Sequence, residues 1–428
     1  MRRPVLAALV AGVAILAATL IAVTAPHPEG PFKRPGVPPA VGAYRAGGAP
    51  AHDVAIEHVL GELANLAPAT AERHGRASVL RERPAIPAMA WRGLVDSLER
   101  FDATAVDRAY DDEVAELRAY VQTVSDQLAG AGLGYFLDLE MTPSHQPVIA
   151  AYRVEKVTFV RADRERVRVL DLRALVPDTS RTLLGMKPAG LNDPVVLLDE
   201  IDGHVKTQLL PVLDGRAYTL ADDGWAHTAR ARVAADAAGQ AVRRELTSAL
   251  GSDRDVMDRA LARSTKLVLA SIRHHEAQHG LEQEHVPALP SVLAALVGPV
   301  RDSRGRPGAL AIRARNELSA YTSQLASDMW LPQVTLWSLS RHAFRSARKG
   351  SPESYVAVIV LEGLARQLAI ASPGPVIHGG EIDRDRLAAL VAPLAARSTV
   401  ELRSAAARLW AELFGAPLVR LVDDVFGE

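Results

Sequence analysis

His274-His275-Glu276-Ala277-Gln278-His279 decides how the rest of this chain is read, because it contains the pattern H-E-x-x-H. On a helix, His275 and His279 are four residues apart, so their side chains lie one turn apart on a single face. Two imidazoles placed this way can bind one zinc ion, and Glu276 beside them can act as a general base. The flanking sequence reads as helix: 253–283 has no Pro, and its only Gly is Gly280. Leu261, Val268 and Ile272 share a face with the two histidines, so the pair extends an apolar stripe that points inward. A polar helix with surface histidines is the plain alternative, and the inward stripe argues against it. His274 points about 100° away and is not read as a ligand.

Zinc held for catalysis takes a third protein ligand and leaves a fourth position open. Downstream of the motif, Pro287, Pro290, Pro299 and Pro307 break the chain, and a clear helix resumes over 309–327. On that helix Glu317 shares a face with Leu310, Ala314, Tyr321 and Leu325. A carboxylate on an apolar face is costly unless it is paired or binds a cation. The two helices can pack antiparallel and bring Glu317 to the histidines. His285, ten residues after His275, is a competing third ligand, but the residue three after His279 is Glu282, where a Gly would be needed to turn His285 back. The simpler reading of His285 is an exposed residue at a helix end.

His275-Glu276-x-x-His279 followed by Asn316-Glu317-x-x-Ala320 resembles the gluzincin group of zinc metallopeptidases, over about fifty residues ending at Tyr321. The resemblance implies a mostly helical, zincin-like catalytic domain in which His275, His279 and Glu317 bind zinc and Glu276 activates the bound water. An oxyanion would need a further donor. Tyr321, one turn beyond Glu317, is the candidate carried forward, with core packing as its plainer role. His378, in Ile377-His378-Gly379-Gly380, is a weaker candidate that also reads as a loop residue.

Outward from the motif, 225–428 reads as helical throughout, with segments at 226–250, 331–345, 353–371, 384–396 and 399–414. Before it, 134–224 has strand periodicity at 135–141, 148–160 and 167–172. Two further strands, 195–201 and 205–213, are expected to form a hairpin across Asp202-Gly203, so this region reads as antiparallel β. Asp199, Glu200 and Asp202 fit no calcium loop and read as an acidic hairpin tip. A helical region, 53–133, precedes the strands. The fold class expected is therefore α+β. Residues before Trp225 could act as a removable inhibitory segment.

The first 24 residues carry Arg2 and Arg3 ahead of an apolar run over 5–23, which reads as a signal peptide or an N-terminal membrane anchor. The Pro/Gly/Ala-rich stretch 25–52 reads as a flexible linker. Basic residues ahead of the apolar run place the remainder outside the cytoplasm, with membrane contact only through that segment. With a net charge of −1 and no basic run, nothing points to nucleic acid. With no Cys, thiolate zinc ligands and a cysteine nucleophile are excluded, and the lack of a G-x-S-x-G motif leaves a serine hydrolase unsupported. The leading expectation is an extracytoplasmic zinc peptidase acting on protein or peptide substrates. The alternatives are a non-catalytic envelope protein with a structural or degenerate zinc site, and a zinc hydrolase of a non-peptide amide or ester.

Overall fold

Asp53 starts the first helix by accepting hydrogen bonds from the backbone N–H groups of Ala55 and Ile56. Three amphipathic helices follow: α1 (Val54–Ala64), α2 (Ala88–Arg100) and α3 (Arg108–Gly130). In this computed structural model the described residues are 50–65, 80–81, 88–101, 108–141, 146–163, 165–176, 184–186, 193–215, 229–282, 286–301, 303–306, 308–344, 350–378 and 380–423. Leu60, Leu63, Trp91, Leu94, Leu117 and Val121 of these helices bury against Tyr135, Leu137, Leu139, Ile149 and Ala151 of the first two strands.

Those strands are β1 (Tyr135–Met141) and β2 (Pro147–Ala162), followed by β3 (Glu165–Ala174), the short β4 (Gly185–Met186) and β5 (Val195–Leu197). The strand order is β1-β2-β3-β5-β4. β1/β2, β2/β3 and β4/β5 pair antiparallel, whereas β3/β5 is parallel. The sheet is therefore mixed, which corrects the expectation of an antiparallel region.

The expected hairpin across Asp202-Gly203 is also corrected. After three strand residues the chain turns helical: α4 (Leu198–His204), a π turn at Val205–Leu209, and α5 (Leu210–Leu213). Ile201, Val205 and Leu209 recur every four residues and are all buried, which is helical spacing in β-branched disguise. Gly203 does not take the positive φ that the favoured two-residue hairpin turn requires. Asp199 sits in the first turn of α4, pairs with Arg173 at 2.8 Å and accepts the Ala174 N–H at 2.7 Å.

The rest is mainly helical: α6 (Ala229–Leu250), α7 (Met257–Leu281), α8 (Ser291–Val297), α9 (Ala309–Ser327), α10 (Pro332–Phe344) and α11 (Pro352–Gln367). A two-stranded hairpin of β6 (Ile377–His378) and β7 (Glu381–Ile382) leads to α12 (Arg384–Ala395) and α13 (Thr399–Phe414). The last strand, β8 (Leu421–Asp423), was not expected from sequence. It pairs antiparallel with Val160–Ala162 of β2. The architecture is α+β. No helix among the described residues is long and apolar enough to cross a membrane, and the apolar run at 5–23 lies outside them.

The sheet and the later helices share one core. Val160, Val167, Val169 and Val196 bury in the same cluster as Val268, Leu318, Leu325 and Trp337. Gly280 lets α7 approach, since a Cβ there would come within 2.6 Å of the Val167 side chain. Beside it, Arg273 of α7 forms a two-pronged ion pair with Asp171 of β3, which is only 2% exposed. A removable segment ending before Trp225 would strip this core and leave Arg273 without its partner.

The N-terminus of α10 is capped by two acids from other elements. Asp328 accepts from Trp330 N and Leu331 N, and Glu245 of α6 accepts from Gln333 N and Val334 N. Burial, reinforced by the Asp328 charge and opposed by those two N–H donors, pushes the Glu245 carboxyl from 4.5 up to about 8. Between those values the unfolded chain has released a proton that the folded chain keeps, so this contribution to stability falls as pH rises. The melting temperature of the native protein, compared with Glu245→Gln, should therefore lose ground steadily from about pH 5 to pH 8. The difference should amount to a few kcal/mol at most. A pH-independent difference in thermal melts would refute it.

Candidate metal centre

The ladder of contacts between α7 and α9 runs in opposite order along the two helices. Ser271 meets Gln324, His275 meets Gln324, Tyr321 and Glu317, and His279 meets Glu317. The helices therefore cross antiparallel, as their spacing suggested. The crossing brings together the three residues expected as ligands.

The Nε2 atoms of His275 and His279 are 3.2 Å apart. Glu317 Oε2 is 3.5 Å from His275 Nε2, and Glu317 Oε1 is 3.7 Å from His279 Nε2. All three ligand atoms lie within 4.8 Å of one another. For metal–ligand bonds of about 2.0–2.1 Å, a tetrahedral site separates its ligand atoms by about 3.4 Å. The donor set thus has the size and chemistry of a divalent cation site with one position left open.

Charge points the same way. Glu276 is 4% exposed and Glu282 is 6% exposed, and each has one carboxylate oxygen with no hydrogen-bond partner. With Glu317, three carboxyl groups surround two imidazoles. Burial raises the Glu276 carboxyl, and the neighbouring Glu317 charge raises it further against the pull of His275 and His279. Burial alone would lower His279, but Glu282, Glu317 and Glu276 together raise it from 6.5 to about 9. Glu317 moves the other way: burial is outweighed by His275, His279 and Arg313, which take it down to about 2. Without a metal, a proton on His279 offsets part of this negative charge.

Other residues complete the surroundings, and none was singled out as a site residue from sequence. Gln324 accepts from or donates to His275 Nδ1 at 3.2 Å. Glu282 lies 3.9 Å from His279 Nδ1 and accepts the Ser319 hydroxyl. Gly185 of the edge strand β4 lies directly on Glu276, and a Cβ there would come within 2.5–2.8 Å of its carboxyl group. The detectable signal was buried polarity: Ser271 lies on a buried face of α7 that also carries Ser264 and the histidines, and Gln324 lies on a buried face of α9 that also carries Ser319, Thr322 and Ser323. Gly185 had no signal, because its need for a missing side chain arises across the fold.

Tyr321 packs its ring edge-on against His275, with centroids 4.5 Å apart. His274 turns away toward β8, where its Nε2 is 3.3 Å from Asp423 Oδ1. His378 is exposed in the β6/β7 hairpin. His285 lies outside the described residues.

Because a metal must displace the His279 proton, zinc affinity should rise with pH, by up to about tenfold per pH unit, and level off near pH 9. Competition titrations against a zinc chelator from pH 6 to 9.5 measure this, and a flat profile would contradict it. Gly185→Ala should displace the Glu276 carboxyl while leaving zinc stoichiometry unchanged, which elemental analysis would show.

In comparisons with known proteins, the chain matches no family model, no curated protein and no solved structure.

Proposed function

We propose that this protein is a zinc-dependent peptidase working outside the cytoplasm, with a zincin-like arrangement of α7 and α9. The observation that carries the reading is the convergence of His275 Nε2, His279 Nε2 and a Glu317 oxygen, with the buried Glu276 carboxyl beside them. A bound zinc ion supplies a Lewis acid and a water of lowered pKa. Glu276 takes the proton from the attacking water and hands it to the leaving amine. Its Oε2, buried without a hydrogen-bond partner, is hard to explain in a purely structural site, which needs no base.

Other parts of the chain fit the reading. β4 ends the sheet and pairs only with β5 among the described strands. Its other edge is a place where an extended peptide can add as a strand beside Glu276. Tyr321, whose ring packs against His275, is the candidate on α9 for an oxyanion donor. The N-terminal apolar segment would tether or export the enzyme. The zinc chemistry itself does not separate a peptide from another amide or an ester, so the substrate is decided by assay.

The decisive experiment measures zinc content and peptide-library cleavage together. Native protein should hold about one zinc per chain and cleave peptides. Glu276→Gln should keep the zinc and lose cleavage by about 100- to 10,000-fold, and Glu317→Ala should lose most of both. Zinc without cleavage of any peptide, but with hydrolysis of esters or other amides, would move the reading to that substrate class. Native protein that binds no zinc from buffered solution would end it.

A further inference from the structure

The bonds around His275 run in one direction, and that direction can be traced to its source. Asp328, at the C-terminal end of α9, accepts Trp330 N and Leu331 N on one oxygen at 2.8 and 2.7 Å. Its other oxygen lies 2.6 Å from the Ser271 hydroxyl and 3.4 Å from that of Thr335. A carboxylate can only accept, so Ser271 spends its single proton on Asp328. Toward its other neighbours, Thr335 Oγ1 at 3.2 Å and the Gln324 side-chain amide at 2.9 Å, Ser271 can then only accept, so the amide group facing it must be the NH₂. Gln324 Nε2 also lies 3.4 Å from Thr335 Oγ1, which has an oxygen free to accept on the same side once its own proton goes to Ser271 or Asp328. With its NH₂ committed there, Gln324 turns its carbonyl oxygen to His275 Nδ1, 3.2 Å away. That nitrogen must then carry the proton. Nε2, the atom facing His279 and Glu317, is left with a lone pair.

We propose that Asp328 sets the tautomer of His275 through Ser271 and Gln324, and so presents a lone pair to the metal; this rests on the metal-centre reading above. Gln324 is a positioning residue here, held by bonds that originate at a helix end. The two histidines are oriented differently. His279 has a carboxylate, Glu282, 3.9 Å from its Nδ1, a group whose charge favours a proton on that nitrogen whatever the surrounding network does. His275 faces an amide, which can present either end, so its orientation depends on what lies behind it.

The amide makes the inference testable, because reversing the chain should reverse the histidine. Asp328→Asn places an amide where the carboxylate stood and lets Ser271 receive a proton there and donate toward Gln324. Gln324 can then flip its NH₂ toward His275 Nδ1, moving the ring proton to Nε2. Zinc affinity, measured by chelator competition, should fall roughly 10- to 100-fold. ¹⁵N shifts of labelled histidine in the metal-free protein should report the change of tautomer. Adding Gln324→Glu to Asp328→Asn should restore affinity to within a few fold of native, since a carboxylate at 324 can only accept from Nδ1. The cobalt-substituted double variant should also regain the native absorption spectrum.

Loss of the α10 cap alone would lower the melting temperature without moving the tautomer, and Gln324→Glu would not rescue it. Ser271→Ala cuts the chain without touching the cap and should by itself weaken zinc binding several fold. The proposal is overturned if Asp328→Asn or Ser271→Ala binds zinc like the native protein. It is also overturned if the double variant stays as weak as Asp328→Asn. Native protein that binds no zinc overturns the metal-centre reading as well, whereas native binding with no effect of these variants overturns this inference alone.

Discussion

Three carboxyl groups packed beside two imidazoles inside a helical core are the constraint around which this molecule is arranged. Like charges so close, with little water to screen them, are unfavourable unless a cation or protons offset them. The protein cannot relieve this by moving one helix, because Glu276, His275 and His279 sit on α7 while Glu317 sits on α9. The two helices must therefore be held against each other by something other than the cluster. Part of that hold is apolar, through Val268, Leu318 and Leu325 in one shared core. Part is ionic, since the buried Arg273–Asp171 pair fixes the far side of α7 to the sheet. Breaking such a pair by removing one partner costs about 3–5 kcal/mol, enough to loosen the helix that carries both histidines.

The sheet has a second task, set by close approach. Gly280 brings Val167 of β3 against α7, and Gly185 brings the backbone of β4 onto Glu276. Both are contacts where a side chain would not fit, and both lie on the sheet side of the metal helix. The ligand side differs: Glu317 keeps 26% of its side chain exposed, while His275 and His279 keep 10% and 12%. The cluster is thus closed by sheet backbone beside the base and open along the third ligand. That asymmetry leaves Glu276 in a dry setting and gives the candidate metal position a route to solvent.

Much of this was legible from local patterns, and what was missed was missed for physical reasons. The H-E-x-x-H spacing and the acid on the stripe of α9 pointed to the three side chains that converge, because both are periodicity arguments within a single helix. Helix ends were found within a few residues where caps or glycines mark them, as at α9 and α13. The segment 195–213 misled because Val, Ile and Leu suit strands and helices alike, and Asp202-Gly203 imitates a turn. Burial of Ile201, Val205 and Leu209 on one side is a tertiary outcome. β8 is three residues long and exists only because β2 extends beyond β1, leaving an unpaired edge at Val160–Ala162. Gln324, Ser271 and Glu282 have partners up to 64 positions away, so no local rule reaches those contacts.

The ionisation of Glu276 links these parts. Its carboxyl is raised by burial and by Glu317, and lowered by the two imidazoles. When a proton on His279 provides the compensating charge, that ring is unavailable as a ligand. A divalent cation at the same three atoms would take over that compensation and leave His279 a neutral ligand. It also favours the ionised form of Glu276, the only form that can accept a proton. Burial and Glu317 thus oppose an ionised Glu276 in the empty cluster, and a cation at the three ligand atoms would oppose them in turn. The same residues that make an empty cluster electrostatically awkward would suit a filled one, so the cost of burying three acids here is offset most directly by a cation.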